Sequence, residues 1–327
     1  MIRAPGFWQS DGVLPRLLAP LSGMTAAITA RRVKRPGWRA PVPVLCCGNV
    51  TVGGAGKTTL TIDLARRLRA HGCDVHILLR GYGGSARGAH RVYPGDPVRL
   101  VGDEALLLAA EAPTWVGGDR AASARAAVAA GASALLLDDG LQNPTLMKDA
   151  SLLVIDGATG FGNGRVLPAG PLREPVAAAA ARCRAAVLIG DDATGALMDL
   201  PGGLLVLRAE LEQNGAIAAL RGRRVVAFAG IAVPDKFFRP LEAAGAVLAG
   251  RYPFADHHFF REGELRHLAS EARRLDAMLV TTPKDAVRLP PGLRAAVTVI
   301  GVGLRWADRD GIERVLASVL AGTGTKP

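Results

Sequence analysis

A doubly wound, mostly parallel α/β sheet joined to a second, smaller α/β lobe is the fold this sequence predicts, and three observations predict it. Short apolar runs recur at Val42 to Cys47, Val75 to Leu79, Ala134 to Leu137, Leu152 to Ile155 and Ala186 to Ile189. Unbroken apolarity of this kind marks strands covered on both faces. Helical patterns alternate with them. Lys57 to Ala70 spaces Leu60, Ile62, Leu64, Ala65 and Leu68 as a helix does, and Ala121 to Ala130 is an alanine-rich helical stretch. A second strand and helix series starts near Val225, with Val225 to Ala229, Val247 to Leu248, Met278 to Thr281 and Val297 to Ile300 as its strands. The polar stretch at Asn214, before Arg221, separates the two series. The expected organisation is a helical region over 1–35, the larger domain over 36–214 and the smaller over 215–327.

Composition agrees with this reading. With 327 residues, 49% hydrophobic and 21% charged, the chain can bury two modest cores. Aromatic residues are only 5%, which suits helices packed closely on parallel strands and argues against a carbohydrate-binding β-sandwich. The formal net charge of +11 attracts nucleic acid, anionic lipid and phosphorylated substrates alike. Basic and aromatic residues are not interleaved as in RNA-binding modules, so no nucleic-acid partner is expected. Cys46, Cys47, Cys73 and Cys183 have no CxxC spacing and read as core residues in a reducing compartment.

The N-terminal region holds a charge-free stretch from Leu17 to Ala30, followed by Arg31, Arg32, Lys34 and Arg35. It is shorter than the ~20 apolar residues a spanning helix needs. An apolar helix ending in a basic cluster fits one lying in a membrane interface, and it equally fits a helix capping the core.

The motif of highest information is Thr51-Val52-Gly53-Gly54-Ala55-Gly56-Lys57-Thr58, directly after a strand and before a helix. That context is what a Walker A loop requires, so the larger domain is expected to be a P-loop NTPase fold. Glycines free backbone N–H groups to cradle phosphates, Lys57 neutralises the terminal phosphates of ATP, and Thr58 offers its hydroxyl to Mg²⁺. Thr51 stands where the usual pattern has its first glycine. Asp138 and Asp139, at the end of an apolar run, are positioned as metal partners, with a helix cap as the alternative. Phosphorylation of a hydroxyl also needs a proton acceptor, for which Asp103 and the pair His257 and His258 are candidates. The glycine- and proline-rich Gly157 to Pro175, holding Arg165, Arg173 and Glu174, is long enough to be a functional or a disordered loop.

Taken in order, Gly48 to Thr58, Arg80-Gly81-Tyr82-Gly83-Gly84, Gly102-Asp103-Glu104 and Asp138-Asp139-Gly140-Leu141-Gln142 form a recognisable series. It continues through Gly160 to Gly164, Leu167 to Pro175, Phe228 to Ala232, Asp256-His257-His258 and Thr282-Pro283-Lys284-Asp285-Ala286-Val287. Over nearly its whole length the chain resembles the tetraacyldisaccharide 4′-kinase (lipid A 4′-kinase) family. The resemblance implies an ATP- and Mg²⁺-dependent kinase acting on the 4′-hydroxyl of an acylated disaccharide 1-phosphate, at the cytoplasmic face of a Gram-negative inner membrane. It implies that Asp103 acts on the acceptor hydroxyl with support from His257, that Asp138 and Asp139 handle nucleotide and Mg²⁺, and that Arg173 steadies phosphate charge. It also implies that the N-terminal helix docks on the membrane; separately, the base and the nucleotide loop standing on different strands predict that the smaller lobe closes over the cleft to keep water from the ATP. The chain departs from the family where Leu141 and Asn143 replace phenylalanine and histidine, and where Pro283 precedes Lys284 in place of glutamate.

The mechanism expected from these residues places the triphosphate on the loop and has Asp103 take the proton as the sugar oxygen attacks in line. A carboxylate close to triphosphate makes His257 matter most when protonated. Two rivals remain at this stage. A ParA- or MinD-like switch shares the Gly-Gly-X-Gly-Lys-Thr-Thr loop, but such proteins carry lysine where this chain has Val52. A soluble small-molecule kinase would turn over free sugars without lipid.

Overall fold

The computed structural model describes residues 5–321. Residues 1–4 of the expected N-terminal region and 322–327 of the expected C-terminal domain lie outside the described residues. After a short 3-10 turn at Gly6–Gln9 comes helix α1 (Val13–Val33), then β1 (Val44–Gly48), α2 (Lys57–Ala70), β2 (Val75–Leu79), β3 (His90–Arg91), α3 (Val98–Val101) and α4 (Asp103–Ala109). It continues through β4 (Thr114–Val116), α5 (Arg120–Ala129), β5 (Ala134–Asp138), β6 (Ala150–Asp156), α6 (Val176–Ala180), β7 (Ala185–Ile189) and β8 (Leu205–Gln213). The second series is β9 (Arg224–Ala229), α7 (Asp235–Ala243), β10 (Val247–Pro253), α8 (Glu262–Arg274), β11 (Met278–Thr281), α9 (Pro283–Ala286), α10 (Pro291–Ala296) and β12 (Thr298–Val299). Last come β13 (Val302–Trp306) and α11 (Arg309–Ala321).

Nine strands form the large sheet in the order β13-β8-β7-β6-β1-β5-β2-β4-β3. Every pairing from β8 to β4 is parallel, and only the outermost β13 and β3 run antiparallel to their neighbours. On one face Leu60, Leu64 and Leu68 of α2 meet Leu136, Leu152 and Val187. On the other, Leu153, Ile155 and Leu188 meet Phe161 and Leu172. Leucines with essentially no exposed surface contribute roughly 1.5–3 kcal/mol each relative to an exposed state. The second sheet is wholly parallel, β10-β9-β11-β12. Phe237, Phe238 and Leu241 of α7 cover one of its faces, and Leu265 and Leu268 of α8 cover the other.

Every strand expected from an apolar run is present, but β3, β4, β8 and β13 were not expected. β8 reads Leu-Val-Leu-Arg-Ala-Glu-Leu-Glu-Gln and buries only Leu207 and Ala209, the half-polar alternation of a strand near a sheet edge. β13 pairs with β8, and Ile312, Val315 and Leu316 of α11 pack into the core of the large sheet. The stretch expected as the smaller domain, 215–327, therefore supplies elements to both sheets.

Helix α1 corrects the length argument drawn from the charge-free stretch. It runs for 21 residues and is long and apolar enough to cross a membrane, with mean hydropathy 1.3 over its best window. What distinguishes it is an inverted face. Pro15, Ser22 and Thr29, seven residues apart, are the buried positions, while Leu14, Leu17, Leu21, Met24 and Ile28 are exposed. The Ser22 hydroxyl donates to the Val166 carbonyl at 2.6 Å and accepts from the Ala169 N–H at 3.2 Å. Protein contact thus falls on the small polar stripe, and the apolar stripe is exposed among the described residues.

Candidate active site

β1 delivers the chain into the glycine loop, and α2 begins where Gly56 adopts φ +81°. A Cβ there would be strained by the backbone and would stand 2.6 Å from Ile189 Cδ1, so glycine is needed for the turn into the helix. Ala55 is buried against the core, while Val52, Gly53 and Gly54 are exposed. Lys57 Nζ donates to Asn49 Oδ1 at 2.9 Å and lies 3.9 Å from Asp139 Oδ2. Thr58 and Thr61 both donate their hydroxyls to Asp138, each at 3.3 Å. Asp138 ends β5 almost fully buried, and burial, with the negative charges of Glu104 and Asp139, pushes its carboxyl up to about 7 against the opposing Lys57 charge.

The long loop is folded onto this site. The Arg173 N–H donates to the Val50 carbonyl at 2.6 Å, the Val52 N–H donates to the Pro171 carbonyl at 2.9 Å, and Thr51 bridges Leu172. These bonds set Arg173 Nη1 at 2.9 Å from both oxygens of Asp139, whose own backbone sits at φ +56°. Behind it, Gln142 donates to the Asn49 carbonyl and to buried Glu174, which Arg182 grips through both oxygens at 2.8 Å. Arg120 is also buried, pushed down to about 10 chiefly by that burial, and its Nε has no hydrogen-bond partner among the described residues.

A second cluster joins the lobes. Gly102 takes φ +88° where a Cβ would stand 2.6 Å from the Tyr82 carbonyl, and this turn starts α4 with Asp103. Asp103 Oδ2 accepts from His257 Nδ1 at 2.8 Å and lies 3.4 Å from Arg288 Nε, while Oδ1 accepts the Glu104 N–H at 2.9 Å. Burial raises the affinity of Asp103 for a proton, but the His257 hydrogen bond and the charges of Lys284 and Arg288 outweigh it, and the net shift is down. His258 turns away, bonding Glu264 at 2.9 Å and stacking on Phe254. Tyr82, Val98, Asp103, Asp256, His257, Phe259 and Arg288 line a cavity of about 240 Å³.

The family model described as tetraacyldisaccharide-1-P 4′-kinase matches residues 14–321. The chain belongs to that family. Among its curated relatives, the tetraacyldisaccharide 4′-kinase of Gluconacetobacter diazotrophicus is 59% identical, covering 96% of this chain and 97% of its own. That of Rhodospirillum centenum is 52% identical, with 98% of each chain covered. Among solved structures, the apo-form LpxK of Aquifex aeolicus, crystallised in complex with ATP, superposes with a TM-score of 0.75 at 24% identity. That match covers 94% of this chain and all of the other, and it shows the shared fold.

Most of the residues singled out from the sequence fall into these two clusters, but His258 bonds Glu264 and Arg165 pairs with Asp11 outside them. Thr51 to Thr58, Asp138, Asp139 and Arg173 lie together, and Asp103 meets His257 across the lobes. Sequence reasoning did not assign Asn49, Gln142, Glu174, Arg182, Arg120, Lys284, Asp285 or Arg288. Their signal was faint. Asn49, Gln142, Glu174, Lys284 and Asp285 lie within recognised motifs and Arg120, Arg182 and Arg288 outside them, and only the structure shows Arg288 with 1% of its side chain exposed, bonded to Asp285 at 3.1 Å and to three backbone carbonyls.

Proposed function

We propose that this chain transfers the γ-phosphoryl group of ATP to the 4′-hydroxyl of an acylated disaccharide 1-phosphate, giving the bis-phosphorylated lipid IVA. The observation that carries the reading is the buried Asp103 carboxylate, paired with His257 across the lobes and lining the cavity it shares with Tyr82 and Phe259. A carboxylate held in this way keeps its acceptor lone pairs at a fixed position, the first requirement of a general base. Asp103 takes the proton as the sugar oxygen bonds to the γ-phosphorus and the bond to the ADP oxygen breaks. Lys57 and Arg173, poised on Asn49 and Asp139, swing to the charge that gathers on the equatorial oxygens.

The donor set suits Mg²⁺. Thr58 and Asp138 present hard oxygens side by side, with Asp139 adjacent, and a carboxyl whose proton affinity burial has raised gains from a cation. No group of three or more His, Cys, Asp or Glu able to hold a metal occurs among the described residues. That fits an ion that draws most of its ligands from water and phosphate. Bound there, it would offset phosphate charge.

The exposed apolar stripe of α1, ending at Arg31 and Arg32, supports peripheral docking on an anionic membrane, with the acyl chains of the substrate reaching the same surface. The site of action we propose is the cytoplasmic face of a Gram-negative inner membrane, with the nucleotide supplied from the cytosol. The second sheet and its helices, the bulk of 215–327, close over the cleft during turnover.

The test is transfer of labelled γ-phosphate from ATP to tetraacyldisaccharide 1-phosphate in mixed micelles by the wild type, Lys57→Ala and Asp103→Ala. Transfer by the wild type that falls by about 10²-fold or more in both variants is expected. Absence of transfer, with ATP hydrolysis stimulated by vesicles alone, would replace the kinase with a membrane-sorting switch.

A further inference from the structure

The Asp103–His257 pair has a third member. Lys284, at the start of α9, places Nζ 3.2 Å from His257 Nε2, 3.3 Å from Asp256 Oδ1 and 3.8 Å from Glu104 Oε1. The turn that carries it is held on both sides. Thr282 caps the turn, its hydroxyl accepting the Asp285 N–H at 3.1 Å and donating to Asp285 Oδ2 at 2.6 Å, and Asp285 in turn accepts the Gly230 N–H. Arg288, on the next turn, bonds the carbonyls of Lys284, His258 and Gly230, which locks α9 to the loop that carries His257.

An ammonium has three donors and no acceptor, so a 3.2 Å approach to a ring nitrogen requires that nitrogen to offer its lone pair. A proton on Nε2 would face the ammonium donor to donor. The groups around the ring leave one consistent arrangement. Asp103 from α4 accepts from Nδ1, Lys284 from α9 donates to Nε2, Asp256 on the same loop lies 3.7 Å from Nε2 while accepting from Lys284, and Tyr82 packs against the ring with centroids 6.4 Å apart. Glu104 and Arg288 touch this set only through Lys284 and Asp103.

We infer that Lys284 is a positioning residue for phosphoryl transfer: by occupying the Nε2 lone pair it fixes the His257 proton on Nδ1, keeps the ring from acting as the base and leaves Asp103 as the proton acceptor. The role rests on the kinase reading above and amends one part of it, because the ring that supports Asp103 works as a donor through Nδ1 and not as an imidazolium. In the reaction the hydroxyl proton passes to Asp103, the sugar oxygen gains the phosphoryl group, and ADP leaves with the bonding electron pair. His257 and Lys284 exchange no proton in that step. The same contact joins the lobes, since Lys284 and His257 lie on the second series of elements and Asp103 and Glu104 on α4.

The tautomer can be read without substrate. The protein is labelled with [¹⁵N]histidine, its six histidines give few resonances, and His257→Gln identifies the one that matters. In the wild type, His257 is expected to show a protonated, pyrrole-type Nδ1 and an unprotonated, pyridine-type Nε2 at pH 8. In Lys284→Met, which keeps the apolar stem and removes the donor, the pattern is expected to shift toward protonated Nε2. Turnover of the same variant is expected to fall about tenfold to a hundredfold in kcat with KM for ATP unchanged. Lys284→Arg, which retains charge and donors, is expected to keep the wild-type ring pattern and recover part of the rate. A protonated Nε2 in the wild type, or a ring spectrum that Lys284→Met leaves unchanged, would overturn the inference. If Lys284→Met does not fold, the wild-type spectrum alone decides between the same two outcomes. A wild type that transfers no phosphate would sink the kinase reading and leave the ring assignment standing, so the two failures are distinguishable.

Discussion

Replacing Asp138 by asparagine should make the nucleotide-free protein more stable while abolishing its turnover, and the size of the gain should depend on pH. The carboxyl is raised from 3.8 to about 7 in the folded protein, so ionising it there is about three pH units harder than in the unfolded chain. At about 1.4 kcal/mol per unit, the folded state carries an unfavourable contribution on the order of 4 kcal/mol at pH 8. The sign follows from proton binding. Between pH 4 and 7 the folded carboxyl holds its proton and the unfolded one has lost it, so raising the pH through this window destabilises the wild type, and above 7 the full penalty persists. Asparagine keeps an acceptor for Thr61 or Thr58 and has no such penalty. Urea unfolding of both proteins should show a difference near zero at pH 4 that grows to a few kcal/mol in favour of Asp138→Asn at pH 8. Saturating Mg-ATP should shrink or reverse the pH 8 difference, because only the wild type gains a ligand bound at this carboxylate. A difference that does not change with pH would refute the reasoning, and so would a less stable variant at pH 8.

Two further outcomes test other parts of the structure. Arg288→Met should lower the stability of the smaller sheet by about 3–5 kcal/mol, because it strands Asp285, fully buried, and leaves Asp103 without its guanidinium neighbour. Amide exchange of Arg224–Ala229 should accelerate by at least about a hundredfold, and adding Asp285→Asn should recover part of the protection. On α1, Leu17→Glu with Met24→Glu should abolish flotation with anionic vesicles while changing urea stability by less than about 0.5 kcal/mol per site, since both side chains are more than 60% exposed.

The parts of the fold and site that could be read from the sequence were the local ones. The glycine loop needs only eight consecutive residues between a strand and a helix, and the apolar runs of the parallel core needed no partner to be seen. Asp103 and His257 are 154 residues apart, and only the ordered series of motifs linked them before the structure placed them 2.8 Å apart. β8 and β13 escaped because these strands, beside and at a sheet edge, bury few of their residues, and a pattern that is half polar looks like a loop. Lys284 lay inside a recognised motif with no stated role, since nothing in the sequence tells which acceptor a lysine will meet. His257 and His258 are adjacent, and the turn at His257, with φ +58°, is what sends one ring to Asp103 and the other to Glu264.

Helix α1 and the nucleotide loop are mechanically connected, through the buried Ser22 hydroxyl and then a run of backbone contacts. Ser22 of α1 bonds Val166 and Ala169, Val166 bridges Leu172, Leu172 bridges Thr51, and the next residue, Arg173, bonds Val50 and reaches Asp139. Buried hydrogen bonds hold distances that side chains on a surface would not, so the position of the glycine loop relative to α1 is set by the fold. A substrate whose acyl chains stay in the bilayer can present its sugar only at a limited height. On the membrane docking proposed above, the glycine- and proline-rich loop, the least regular part of the chain, is what matches the reacting hydroxyl to the phosphate. Its irregular backbone serves that purpose better than a helix would, because each turn can answer a different partner: α1 on one side, Thr51 on the other, and Asp139 at its end.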